Sequence, residues 1–163
     1  MGNPILRGFA NVLRFGGRDT RSEFWPYAGV AVALYFVVGW AVLVPMTLPI
    51  ISSPALMDSG TFEKRFFAGN ALMFAALGAL LAAAVTRRLH DSDRSAFWGL
   101  LPLPFVVYSG AMMYRMISQF GTGGFSVPLF VSVFVSNLLY FAAVVWLIVL
   151  LVRRSLAEEN RFG

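Results

Sequence analysis

The chain has 163 residues, of which 58% are hydrophobic and 13% charged, and its mean hydropathy is +0.72. A soluble domain carries about 25% charged residues, so the apolar excess here has to face lipid. The net charge of +5 reads, in that context, as cationic flanks that set topology and touch anionic lipid, not as a nucleic-acid surface. The absence of cysteine excludes disulfides, zinc-thiolate sites and thiol nucleophiles.

Residues 4–15, PILRGFANVLRF, place Ile5, Leu6, Phe9, Val12 and Leu13 on one helical arc with Arg7 and Arg14 opposite. That pattern predicts a short amphipathic helix lying in the membrane interface. The lead of residues 1–25 is too polar, and the apolar run after it too long, for a cleavable signal peptide, so the first span is expected to act as an uncleaved anchor. Four apolar segments follow, at about 26–48, 68–85, 96–114 and 127–152, each near the length needed to cross the hydrocarbon core as a helix. Thr20 and Glu23 have capping-box spacing ahead of the first span, and Pro26 suits its first turn. The far end of that span is broken by Pro45, Pro49 and Pro54 and leads into a polar loop.

In the second segment Ala71, Ala75, Ala79 and Ala83 form an i+4 stripe, which predicts close helix packing and marks this span as the most buried. The third contains Pro102 and Pro104, which predict a kink or unwound turn near its start. Asp93 or Ser95 is placed to cap it. The glycine-rich stretch ISQFGTGGFS precedes the fourth segment, where Ser132 and Ser136 are candidates for contact with a neighbouring helix. Residues 153–163 form a polar tail.

Arginine and lysine are unevenly distributed. Arg7, Arg14, Arg18, Arg21, Arg87, Arg88, Arg94, Arg153, Arg154 and Arg161 fall on one side of a four-span topology, and Lys64, Arg65 and Arg115 on the other. The positive-inside rule then predicts cytoplasmic N- and C-termini. On that side the sequence Arg-Ser-x-Phe-Trp occurs twice, at 21–25 and 94–98, each ahead of an outward-running helix. Each pair of spans closes with two arginines, at 87–88 and 153–154. The pattern suggests two parallel-duplicated hairpins. Trp25 and Trp98 suit the headgroup depth as anchors.

The densest polar patch is RRLHDSDRS at 87–95, which holds the only histidine, His90, beside Asp91 and Asp93. One histidine and two carboxylates make a weak metal or acid–base signal. A self-neutralising Arg–Asp network that fixes the connection is the plainer expectation. FGGRDTRSEFW at 15–25 and RRLHDSDRSAFWGLLPLP at 87–104 together resemble the bacterial inner-membrane family known as domain of unknown function 805. Gly17, Arg18, Arg21, Phe24 and Trp25 match its first block. Arg87, Arg88, Leu89, His90, Asp91, Arg94, Ser95 and Trp98 match its second. The resemblance implies a small inner-membrane protein and no particular activity.

The sequence thus predicts an all-α integral membrane protein of the bacterial inner membrane, with four transmembrane helices and a short interfacial N-terminal helix. A non-enzymatic role is expected, with no catalytic residue, cofactor or metal. Arg18, Arg21, Trp25, Arg87, Arg88, His90, Asp91, Arg94, Ser95 and Trp98 are the candidate binding residues, for an anionic lipid headgroup or a membrane-protein partner, including a second copy. The two Arg-Ser-x-Phe-Trp copies are expected to converge on the RRLHD turn, with an arginine satisfying the Trp98 carbonyl that Pro102 frees. Alternatives are a small transporter or channel for an uncharged solute, although no ionisable residue lies within a span, or a lipid-headgroup enzyme using His90 and Asp91.

Overall fold

A computed structural model describes residues 2–52, 60–120 and 123–155. It contains α1 (Pro4–Ala10), α2 (Arg21–Ser52), α3 (Gly60–Asp91), a 3-10 turn (Ala96–Leu100), α4 (Leu103–Phe120) and α5 (Val127–Val152). Four helical segments are long and apolar enough to cross a membrane: Arg21–Pro45, Glu63–Asp91, Ala96–Gln119 and Val127–Val152. Large apolar side chains such as Val37, Trp40, Leu72 and Val107 point outward along them. That distribution suits a solvent of lipid tails and would be untenable in water. The fold is the all-helical four-span architecture that hydropathy predicts, with the short N-terminal helix in place.

Consecutive helices pair, α2 with α3 and α4 with α5, and α3 also touches α4, α5 and the 3-10 turn. Alternating helix directions gather the N-terminal lead, the start of α2, the end of α3, the 3-10 turn and the end of α5 at one end of the bundle, here called the arginine end. The packed core lies there. Phe24, Tyr27, Ala28, Ala84, Leu89, Leu150 and Leu151 are buried together.

The alanine stripe departs from expectation. Ala83 is fully buried, but Ala71, Ala75 and Ala79 are exposed, and α3 is less buried than α2 or α5. The fully buried residues of α3 begin at Ala83, in its last turns, where buried polar groups draw the neighbouring segments inward, and the rest of the stripe faces outward. Of the two serines of α5, Ser136 does reach a neighbour, donating to the Phe105 carbonyl at 3.1 Å. Ser132 instead donates to Leu129 within its own helix. Asn137 donates to Ser109 Oγ at 2.8 Å, so the polar atoms between α4 and α5 satisfy one another.

The expected break at the third span is present. Residues 96–100 wind as a 3-10 turn, and α-helix resumes only at Leu103. The Trp98 carbonyl, however, accepts from the Leu101 N–H at 3.4 Å, so no arginine is required there. The 3-10 winding itself supplies the donor. Ser95 is the cap, accepting from the Phe97 N–H at 3.3 Å. Asp93 has a different task. Its φ of 53° places it in the left-handed region, with its N–H bonded to the His90 carbonyl and the Arg94 N–H to that of Leu89. This is a Schellman closure of α3, with aspartate where glycine is usual. The loop at 53–59 and the tail from 156 onward lie outside the described residues.

Candidate functional site

The lead segment docks onto the arginine end through α1. Asn3 caps that helix, its side chain accepting from the Ile5 N–H, and Pro4 opens it. Gly8 then lies against the ring of Tyr27, where a Cβ would come within 2.2 Å of the ring. Phe9 meets the same ring edge-on at 5.1 Å. The Tyr27 hydroxyl donates to the Leu80 carbonyl at 2.7 Å, so the ring is pinned and cannot retreat. The helix ends at Ala10 rather than running to 15, and Leu6 and Leu13 point outward while Gly8 faces the protein. Beyond it the chain turns at Gly17, whose φ of +93° only glycine adopts without strain.

At the start of α2 the capping box forms by half. The Thr20 N–H donates to Glu23 Oε2 at 2.9 Å, while the Thr20 carbonyl takes the Glu23 and Phe24 N–H groups.

Arg87 and Arg88 are adjacent in sequence and act in opposite directions. Arg87 donates through Nε to Asp19 Oδ2 at 2.7 Å and through Nη1 to the carbonyls of Asn11 and Arg14, and its own carbonyl accepts from the Asp19 N–H. It fastens the lead. Arg88 has no exposed surface. It donates through Nε to the Leu151 carbonyl at 2.9 Å, through Nη2 to that of Arg153 and through Nη1 to Asp91. It therefore satisfies the open carbonyls at the C-terminus of α5, where a cation is electrostatically favoured. Arg21 adds a second donor to the Arg153 carbonyl at 3.0 Å. Asp91, itself buried, also accepts from Ser155 and pairs with Arg18 at 3.5 Å. A guanidinium this deep stays only because its donors are matched; removing one partner of such a set typically costs about 3–5 kcal/mol.

The expected Arg–Asp network exists, but it is wider than the RRLHD turn. It runs from α1 through Arg7, which pairs with Glu23 and with Asp19 at 3.5 Å, to the last described residue, Ser155. Of the candidate binding residues, the structure gathers Arg18, Arg21, Arg87, Arg88 and Asp91 in this network. His90 sits half-buried in the last turn of α3. The side chains of Arg94, Ser95 and Trp98 carry none of its hydrogen bonds among the described residues. Trp25 and Trp98 are both partly exposed at the surface of the bundle, Trp25 against Phe24 and Trp98 with its ring 6.5 Å from that of Trp146. The ion pairs of Asp91 are with Arg18 and Arg88, not with the two motif arginines Arg21 and Arg94. No group of three or more His, Cys, Asp or Glu side chains among the described residues is disposed to hold a metal ion.

Beside the network lies a cavity of about 140 Å³, framed by Arg7, Arg14, Arg18 and Arg87 with Gly16 and Gly17. Sequence reasoning placed Arg7 and Arg14 on the wet side of a helix and counted them for topology only. Their convergence with Arg87, more than 70 positions away, has no local signature. The Gly16-Gly17 pair between arginines was the one available hint.

Four membrane-length helices with a polar network at one end define a multi-pass helical membrane protein. The chain matches the family described as "Protein of unknown function (DUF805)" over residues 12–163, and it belongs to that family. It is 31% identical over 124 residues to the inner membrane protein YhaH of Escherichia coli K12 and to that of Escherichia coli O157:H7, the alignment covering 73% of this chain and 87% of the relative in each case. No solved structure matches it. The chain is accordingly a multi-pass inner-membrane protein.

Proposed function

We propose that the protein is non-enzymatic and that its arginine end, facing the cytoplasm with both termini, binds anionic lipid headgroups. The observation that carries this reading is the charge surplus at one end of the bundle. Among the described residues, Arg7, Arg14, Arg18, Arg21, Arg87 and Arg88 stand in one network with only three carboxylates, Asp19, Glu23 and Asp91, and Arg94 lies close by in the chain. A structural staple alone needs no surplus, and the anionic cytoplasmic leaflet is a ready counter-charge. The ten-to-three arginine and lysine distribution supports the same orientation. A catalytic role for Asp91 gains no support, because its oxygens are already taken by Arg18, Arg88 and Ser155.

The test is the lipid that stays with the protein. Purified in mild detergent, it should retain phosphatidylglycerol and cardiolipin in clear excess over their share of the source membrane, as read by native mass spectrometry. A retained ratio equal to that of the bulk membrane would sink the reading. Reporter fusions after Ser155 should read cytoplasmic and fusions beside Lys64 periplasmic; the reverse pattern would overturn the orientation.

A further inference from the structure

We propose that the cavity between α1, the Gly16-Gly17 turn and the end of α3 is a binding site for a phosphate monoester dianion. The assignment rests on the reading that this end of the bundle meets anionic headgroups, and it names the pocket and the chemistry.

Three features converge. The first is the donor set. Four arginines line the cavity and, among the described residues, no aspartate or glutamate does. Each carboxylate that pairs with them does so as part of the surrounding network: Asp19 with Arg7 and Arg87, Glu23 with Arg7, and Asp91 with Arg18. These pairings hold the forks in place without filling the space. Arg87 commits Nε and Nη1 to Asp19 and to the carbonyls of Asn11 and Arg14, which among the described residues leaves Nη2 for an occupant. The Arg14 side chain makes no ion pair among the described residues.

The second feature is the backbone. The N–H groups of Gly16 and Gly17 take part in no hydrogen bond among the described residues, and neither glycine has anything within 4 Å of where a Cβ would stand. With Gly17 left-handed, the turn offers consecutive main-chain donors at a place where an oxyanion can approach closely. Guanidinium forks and open amides are the two donor types that phosphate oxygens select.

The third is charge. Six guanidiniums, counting Arg21 and Arg88, against three carboxylates leave three positive charges uncompensated among the described residues. A phosphodiester supplies one negative charge. A monoester supplies nearly two above its second ionisation, near pH 6. A headgroup of the phosphatidate kind and a soluble phosphate ester share this chemistry.

The experiment is calorimetric titration of the full chain in nanodiscs of phosphatidylcholine. The probes are inorganic phosphate, glycerol 3-phosphate, dioctanoyl phosphatidate and dioctanoyl phosphatidylglycerol. Expected is saturable binding of the monoesters, at least tenfold tighter than of phosphatidylglycerol and weakening as pH falls from 7.5 to 5.5. Arg14→Gln, which breaks no ion pair among the described residues, should weaken monoester binding about tenfold, while Arg115→Gln at the opposite end should leave it unchanged. Phosphatidate binding tenfold tighter than glycerol 3-phosphate assigns the ligand to the bilayer; equal affinities assign it to a soluble ester. Absence of saturable monoester binding, or binding indifferent to Arg14→Gln, overturns the proposal. Should anionic lipid still be enriched in the purified protein in that case, the pocket assignment falls and the wider reading stands.

Discussion

The two Arg-Ser-x-Phe-Trp copies are the same in sequence and unlike in structure. Phe24 is 3% exposed and sits in the packed core; Phe97, its counterpart, is 77% exposed. Arg21 reaches the Arg153 carbonyl at the end of α5, whereas Arg94 contributes its backbone N–H to close α3. The tryptophans match, at 38% and 37% exposure. The cause is the winding of the chain through and beyond each copy. The first copy opens a continuous α-helix, so Phe24, Tyr27, Ala28 and Ala31 share a buried face. The second winds as a 3-10 turn ahead of Pro102 and Pro104, and about 120° per residue in place of 100° points Phe97 elsewhere. A short motif does not fix the cap, since Ser95 caps the second copy while its counterpart Ser22 lies inside α2. Nor does it fix which side chain is buried.

The two phenylalanines offer the sharpest way to break this contrast. Phe24→Ala should lower stability by about 3–5 kcal/mol, the usual cost of truncating a buried phenylalanine. Phe97→Ala should cost under about 1 kcal/mol. Thermal unfolding in one detergent reads both, and equal losses would mean that the copies are equivalent after all. The arginines give a smaller difference. Arg21→Gln removes a charged donor from a carbonyl it shares with Arg88 and should cost about 1–2 kcal/mol. Arg94→Gln should change stability by less than about 0.5 kcal/mol. A larger loss for Arg94 than for Arg21 would reverse the assignment of roles.

A weaker effect sharpens the boundary between α3 and the second copy. Asp93→Gly relieves a left-handed aspartate and should raise stability by up to about 1 kcal/mol. Asp93→Val should destabilise, because a β-branched residue resists that conformation. A gain from valine would show that the turn is not held as a Schellman closure.

The most local effect concerns the lead, which packs beside the first copy and has no counterpart at the second. Gly8→Ala drives a methyl group into the pinned Tyr27 ring and should undock α1. Faster hydrogen exchange over residues 4–19, with α4 and α5 unchanged, is the expected signature. Undisturbed exchange in the lead would mean that α1 does not dock through Gly8. Undocking also carries Arg7 away from the cavity, so the same variant should weaken phosphate monoester binding.

Hydropathy determined the four spans, because the burial of apolar surface in lipid depends on run length and composition; amphipathic periodicity determined the short N-terminal helix but not its end at Ala10. Local spacing determined a break near Pro102, a cap at Asp93 or Ser95 and the Thr20–Glu23 pairing, since each bond joins residues within a few positions; the structure chose the 3-10 winding and Ser95. The alanine stripe misled because small residues permit close packing without compelling it; packing followed the buried polar groups at the end of α3 instead. The RRLHD patch was legible as an Arg–Asp network, but not its reach. Arg87 finds Asp19 and Arg88 finds the α5 carbonyls across separations of 68 and 63 residues. Only tertiary structure decides such pairings, because a guanidinium excluded from water takes whichever acceptors the folded backbone brings within about 3 Å. The cavity between Arg7, Arg14, Arg18 and Arg87 is the space those choices leave.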